Sequence, residues 1–226
     1  MSGKQPSPAT LVGLCVALGL PFILTLVSGG RSEVLWDTPR TVLIIAQEWV
    51  VTIILIGIVI FWERRPLASI GIVRTTWRDV LWGLGGFVVG ALSFVTTIPL
   101  VTALGLGTTT TGINQLAQTP IALRVAIVIT AGITEEILFR GYPIERFTEM
   151  TGKPYWGAGI AYLAFVLLHI PFWGLGGTIQ IGVWSLLVTG LYVWRRNLPA
   201  CMVMHVLNDA YAFILLPELF AQYLPQ

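Results

Sequence analysis

The chain has 226 residues, 55% of them hydrophobic and only 11% charged, at a mean hydropathy of +0.82. Soluble domains carry about 25% charged residues, so this composition excludes a soluble core with a polar coat. The net charge of +2 comes from short basic pairs and not from a basic stripe, which leaves nucleic acid without a binding face. What remains is an all-α, multi-pass transmembrane helical bundle.

A helix needs about 20 apolar residues to cross the hydrocarbon core. Seven stretches approach that length: 9–28, 41–62, 79–103, 119–141, 155–171, 176–194 and 198–217, with an eighth span if the long third stretch is two. The first follows Lys4 and lacks a small-residue cleavage site, which predicts a retained span. Between the second and third, Leu67, Ile70, Ile72, Val73 and Trp77 sit among four arginines. Either an amphipathic piece on the inner leaflet or a loop with packed apolar residues fits that pattern. Gly86 and Gly90 predict close helix packing in the third span, and Gln180 an interhelical hydrogen bond in the sixth. The fifth ends at Pro171, just before Trp173-Gly174-Leu175-Gly176-Gly177. Cys15 and Cys201 both fall in apolar runs, predicting buried thiols and no disulfide. Trp62, Trp77, Trp156 and Trp194 stand near span ends, as interfacial anchors do.

Ten of the 13 Lys and Arg fall on one side of this topology, against Arg31, Arg40 and Arg124 on the other. The positive-inside rule makes the richer side cytoplasmic and places the N-terminus there, with the plasma membrane as the expected location.

Ionisable groups within spans each cost roughly 2.5–3.5 kcal/mol at a helix centre and so call for a function or a partner. Span four holds Glu135, Glu136 and Arg140; span five holds His169; span seven holds His205, Asn208 and Asp209. Glu136 and Arg140 are four apart and share a face, which predicts a structural pair. Glu135 is rotated by roughly 100° and is free to face another helix. His205 and Asp209 share a face, as do Phe165 and His169. Three helices can thus offer a carboxylate and two imidazoles to one cavity. Measured from the expected cytoplasmic span ends, Glu135 lies roughly 9 Å deep, His205 roughly 11 Å and His169 roughly 20 Å. A common cavity opening to the cytoplasm tolerates the first two depths but leaves His169 deep. Glu48, a lone carboxylate in span two beside Gln47, predicts a solvated or hydrogen-bonded group more than a cavity wall.

Glu135-Glu136-Ile137-Leu138-Phe139-Arg140, Phe165-Val166-Leu167-Leu168-His169 and His205-Val206-Leu207-Asn208-Asp209 resemble the Glu-Glu-x-x-x-Arg, Phe-x-x-x-His and His-x-x-x-Asn/Asp motifs of the CPBP family, the CAAX proteases and bacteriocin-processing enzymes. The motifs stand in the family's order within residues 119 to 212. The resemblance implies that 119–217 forms a catalytic core and 1–118 the N-terminal helices of one membrane domain. It implies an intramembrane endopeptidase acting on membrane-anchored, CAAX-type prenylated or bacteriocin-like peptides.

Peptide hydrolysis needs an activated water, oxyanion stabilisation and a proton donor for the leaving amine. Glu135 and His169 are the candidates for activating water, with His205 and Asp209 orienting the substrate carbonyl and Asn208 as a substitute for Asp209. Glu136, Arg140 and Phe165 would support them. Glu135, His169 and His205 could also hold a divalent metal, zinc among the candidates. A metal-free glutamate–histidine scheme is equally physical, since His-Glu-x-x-His spacing is absent. Two rival functions stand beside proteolysis: an intramembrane scaffold or immunity protein without cleavage, and a proton-coupled transporter.

Overall fold

The computed structural model describes residues 5–27 and 37–220; Lys4 and Arg31, two charges of the orientation count, lie outside the described residues. Eight helices follow in order: α1 (Pro8–Val27), α2 (Thr38–Trp62), α3 (Trp77–Ala103), α4 (Thr110–Ala117), α5 (Ile121–Glu136), α6 (Tyr142–Thr151), α7 (Pro154–Arg195) and α8 (Leu198–Leu219). Among the described residues there is no strand. Five of these helices, α1, α2, α3, α7 and α8, are long and apolar enough to cross a membrane. The protein is an all-α, multi-pass integral membrane protein.

Local sequence explains three of these helix starts. Ser7 accepts from the Thr10 amide ahead of Pro8, Asp37 accepts from the Arg40 amide at 2.7 Å, and Asn197 accepts from the Ala200 amide at 3.0 Å. Each side chain satisfies a backbone donor that the first helical turn leaves without a partner. The long third stretch is one helix, α3, and supplies no eighth span. Its Gly86 lies against Met204 of α8, and its Gly90 against Trp184 of α7 and Asn208 of α8, the close packing that the two glycines predict.

Two expected boundaries change. α7 runs for 42 residues, but Gly174 breaks it at φ 64°, ψ −179°, a conformation open essentially to glycine alone. A straight helix would separate Phe165 from Trp184 by about 28 Å. Their rings lie 6.4 Å apart, so α7 folds back as an antiparallel hairpin. The expected fifth and sixth spans are its two arms. The fourth stretch does not stop at 141: α5 passes through a π-turn, Ile137–Gly141, directly into α6, which ends at Gly152 in the left-handed region. Glu145, Arg146 and Glu149 of this segment are all paired. Arg146 is 0% exposed and meets Glu63 at 2.6 Å.

The helices alternate in direction, and the two ends of the bundle differ. At one end α1 begins, α2 ends, α3 begins, α6 ends, and the second arm of α7 hands over to α8. This basic end is tied by Thr10–Glu63, Arg65–Glu149, Arg146–Glu63, Arg195–Asp79 and Arg196–Glu145 contacts. Leu67–Ile70 forms a short 3-10 turn here, with Ile70 buried and the Gly71 carbonyl accepting from the Leu198 amide at 2.8 Å. The stretch between α2 and α3 is therefore a packed loop and not a leaflet-bound helix. Trp62, Trp77, Trp156 and Trp194 are all exposed around this end, as anchors should be. At the other end lie the Gly174 turn, the α3–α4–α5 connection and the close of α8, joined by Arg124–Glu218.

Apolar side chains of α2 and α3, such as Ile53, Phe61, Leu92 and Val95, are exposed where lipid would cover them. Cys201 is buried as expected, whereas Cys15 is exposed; a small apolar thiol on a lipid-facing helix has no need of a core. Both are free thiols.

Candidate functional site

The site forms where α5, α7 and α8 meet. Gly132 permits this, because a side chain there would strike Val206 and its backbone amide. The close approach of α5 to α8 sets Glu135, one turn after Gly132, against His205, the neighbour of Val206. His205 Nε2 lies 3.8 Å from Glu135 Oε2 and 3.5 Å from Asp209 Oδ2. Its Nδ1 lies 2.7 Å from Glu136 Oε1 and donates to that carboxylate.

Glu136 is 0% exposed and continues the chain of contacts. Arg140 Nη1 donates to the same Oε1 at 3.0 Å, while Nη2 donates to Ser185 Oγ at 2.8 Å. The Glu136–Arg140 pair is thus as the four-residue spacing predicts. The π-turn that follows Glu136 carries Arg140, and such turns concentrate at functional sites. The Arg140 guanidinium sits 4.0 Å above the Phe165 ring, and the His169 ring lies 4.3 Å from Phe165. Phe165 therefore holds both the cation and the imidazole by contact. His169 Nδ1 donates to the Phe165 carbonyl at 2.7 Å.

Glu135, His169, His205, Asn208 and Asp209 all line one cavity of about 450 Å³. Glu135 and Asp209 keep 16% and 17% of their side chains exposed, which distinguishes them from Glu136 at 0%. Asn208 also lines the cavity, but its amide donates to the Met204 carbonyl at 2.9 Å. Asp209 is the member of the pair that faces His205.

The depths that separate Glu135 from His169 in the sequence also reconcile. α5 continues through α6, so Glu135 lies about 24 Å along the helix from Thr151, close to the about 23 Å between His169 and Pro154. The cavity walls run from Glu135 and His205 toward Arg40, Thr108 and Trp173, at the end away from the basic loops.

Sequence reasoning undervalued Glu48. It lines the same cavity, and its Oε2 accepts from Thr134 Oγ1 at 2.6 Å, beside Glu135 on α5. Trp49 Nε1 donates to Thr130 Oγ1 at 2.9 Å, so two adjacent residues of α2 clasp one face of α5. The lone intramembrane carboxylate was the available signal. Trp184, edge-on to His205 at 4.7 Å, and Ser185 gave none. Gln180 makes the interhelical bonds expected of it, donating to the Phe94 carbonyl and accepting from the Thr109 amide.

Each imidazole meets one requirement of a metal ligand: Nδ1 is committed to a fixed acceptor and Nε2 is left for the cavity. The other requirement is grouping. Among the described residues, no three His, Cys, Asp or Glu side chains stand together closely enough to hold an ion. As arranged, Glu135, His169 and His205 do not fit a three-ligand zinc centre. What these side chains supply by themselves is acid–base and hydrogen-bonding chemistry.

The family model for the Rce1-like group, described as type II CAAX prenyl endopeptidase Rce1-like, matches residues 117–211. The match covers less than half of the chain and marks residues 117–211 as similar to the Rce1-like family. No curated protein and no solved structure matches the chain. The Rce1-like segment contains all three motifs and the whole Ser185–Arg140–Glu136–His205 chain. Glu48 and Trp49, which clasp its first helix, come from outside it.

Proposed function

We propose that the protein is an intramembrane endopeptidase of the CAAX-protease type, hydrolysing peptide bonds of membrane-associated substrates such as prenylated CAAX-type or bacteriocin-like peptides. The observation that carries this reading is the lining of one cavity by Glu135, His169, His205 and Asp209, within a segment of a protease family. Residues 119–217 act as the catalytic core, in the plasma membrane, with the N-terminus cytoplasmic.

In this reading Glu135 accepts the proton of a water whose other contact is His169 Nε2. The Nδ1 bond to Phe165 fixes the tautomer that leaves Nε2 as an acceptor. The water oxygen adds to the scissile carbonyl carbon as its C=O π pair moves to oxygen. When His205 also carries a proton on Nε2, that N–H is the donor aimed at the developing oxyanion, with Asp209 fixing the ring. Collapse of the intermediate breaks the C–N bond, and the proton held by Glu135 passes to the leaving amine. Glu136 and Arg140 position His205 and do not touch the reacting atoms.

The test is cleavage by purified, detergent-solubilised protein of a farnesylated CAAX-type peptide and of a membrane-anchored bacteriocin-like peptide. Wild type cleaves at least one of them, and Glu135→Ala and His169→Ala each slow that cleavage by about 10²–10⁴-fold while remaining folded. Cleavage that survives both substitutions removes the assignment. Substrate-linked ion flux without cleavage would instead make the protein a transporter.

A further inference from the structure

Among the described residues three carboxylates line the cavity, those of Glu48, Glu135 and Asp209, and Glu48 alone comes from outside residues 117–211. Helix packing does not account for it. Trp49 Nε1 already ties α2 to α5 through Thr130 Oγ1 at 2.9 Å, with no charge involved. Thr134 Oγ1 has an acceptor within its own helix, the Thr130 carbonyl at 2.8 Å, and needs no carboxylate to satisfy its hydrogen. An ionisable group inside a span is costly, and one that packing does not require calls for a use.

The geometry supplies one. Thr134 Oγ1 holds Glu48 Oε2 at 2.6 Å and so fixes the carboxylate. No other hydrogen bond reaches this group among the described residues, which leaves Oε1 as an acceptor in the cavity wall. Neighbouring acceptors are in use. Asp209 faces His205 at 3.5 Å, Gln180 Oε1 accepts from the Thr109 amide at 3.0 Å, and Glu135 serves the water. Thr134 immediately precedes Glu135, so Glu48 stands beside α5 at the level of the base. Much of the remaining wall is apolar, with Ile44, Val51, Phe94 and Ile98 in it. An extended peptide in such a cavity brings backbone N–H groups that these side chains cannot satisfy, and each one left unpaired weakens binding.

We infer that Glu48 is a substrate-binding residue whose Oε1 accepts a backbone N–H of the peptide, one or two residues from the scissile bond. Extended residues rise about 3.3 Å each, so these are the N–H groups that lie at the level of Glu135 when the scissile carbonyl meets the water. The inference rests on the endopeptidase reading and adds the chemistry that the substrate must present there: a main-chain donor, whatever the side chain.

The experiment pairs a change in the protein with a change in the substrate. The farnesylated CAAX-type and membrane-anchored bacteriocin-like peptides are remade with single ester linkages replacing the amides one and two residues to either side of the scissile bond. Each ester deletes one N–H. At the contacted position the ester raises KM roughly 10-fold in wild type, as loss of one hydrogen bond to a charged acceptor should, and leaves kcat within about 3-fold. Glu48→Gln, which keeps the Thr134 contact and turns an amide nitrogen toward the substrate N–H, raises KM for the all-amide peptide by a similar factor. In that variant the ester costs nothing further, because the two changes remove the same contact. The same pairs are run as equilibrium binding to Glu135→Gln protein, with and without Glu48→Gln, which reads the contact without turnover. Ester and Glu48→Gln effects that multiply at every position, or equal affinity for amide and ester peptides throughout, overturn the inference. Absence of cleavage by wild type removes the endopeptidase reading instead, and the binding pairs still decide whether Glu48 holds a peptide N–H.

Discussion

The basic end and the cavity of this protein both place charges where water is scarce, and they do so with opposite degrees of partnership. At the basic end Glu63 is met by Arg146 through both carboxylate oxygens, by the Tyr142 hydroxyl at 2.9 Å and by Thr10 at 3.1 Å. Arg146 in turn donates to the Ser69 carbonyl and Glu149. In the cavity Glu135 meets His205 at 3.8 Å, outside hydrogen-bond range, and Asp209 sits 3.5 Å from the same ring. A buried charge surrounded by partners is committed to holding helices together. One with open coordination is free to take up a proton or a substrate atom, which is why under-partnered ionisable groups mark functional sites. Glu136 belongs with the first kind although it adjoins the second: Arg140 and His205 share its Oε1.

Substitutions separate these two uses of charge. The largest effect expected is from Glu135→Gln, which removes the base and keeps the shape. Cleavage falls about 10³-fold, within the range of general-base catalysis, while thermal stability measured in detergent stays at the wild-type value. The converse holds for Arg146→Met, which leaves Glu63 buried without its cation. Stability falls by about 3–5 kcal/mol, read as a lowered melting temperature, and the protein that remains folded cleaves at the normal rate. An Arg146→Met protein that stays fully stable but inactive would reverse the roles of the two regions.

Smaller effects sharpen the boundary of the site. Glu48→Gln keeps the Thr134 contact but deletes a charge from the cavity wall, and a roughly 10-fold loss of kcat/KM with unchanged stability is expected, within the range of positioned acid–base groups and their neighbours. If stability falls instead and the rate does not, Glu48 is a clasp between α2 and α5 and nothing more. The smallest effect is that of exhaustive chelation, which leaves cleavage unchanged because the cavity side chains are not grouped as a metal site. Loss of activity on chelation, restored by zinc, would show that Glu135, His169 and His205 close around an ion.

Much of this was legible in the sequence because helical periodicity is local. The four-residue spacings Glu136–Arg140, Phe165–His169 and His205–Asp209 each produce the contact they predict. Depth and direction are not local. The continuation of α5 into α6 was hidden because the apolar run ends near 141, and the partner that buries Arg146, Glu63, lies 83 positions away. The fold-back of α7 depends on one dihedral at Gly174, inside a run whose apolar residues fit either a break or a turn. The wall of the cavity is built from residues as far apart in sequence as Thr25, Arg40 and Thr108, which no spacing rule connects. Glu48 had no motif to belong to.

The central claim is that Glu135 and His169 act on one water. Kinetics of the Glu135→Ala/His169→Ala double substitution, beside both single ones, test it directly, since groups that work as a unit are not additive. The account predicts a double variant no more than about 3-fold slower than the worse single variant, against the many-fold losses of a unit broken once. Losses that multiply would mean that the two residues serve separate steps, and the shared-water site would be wrong.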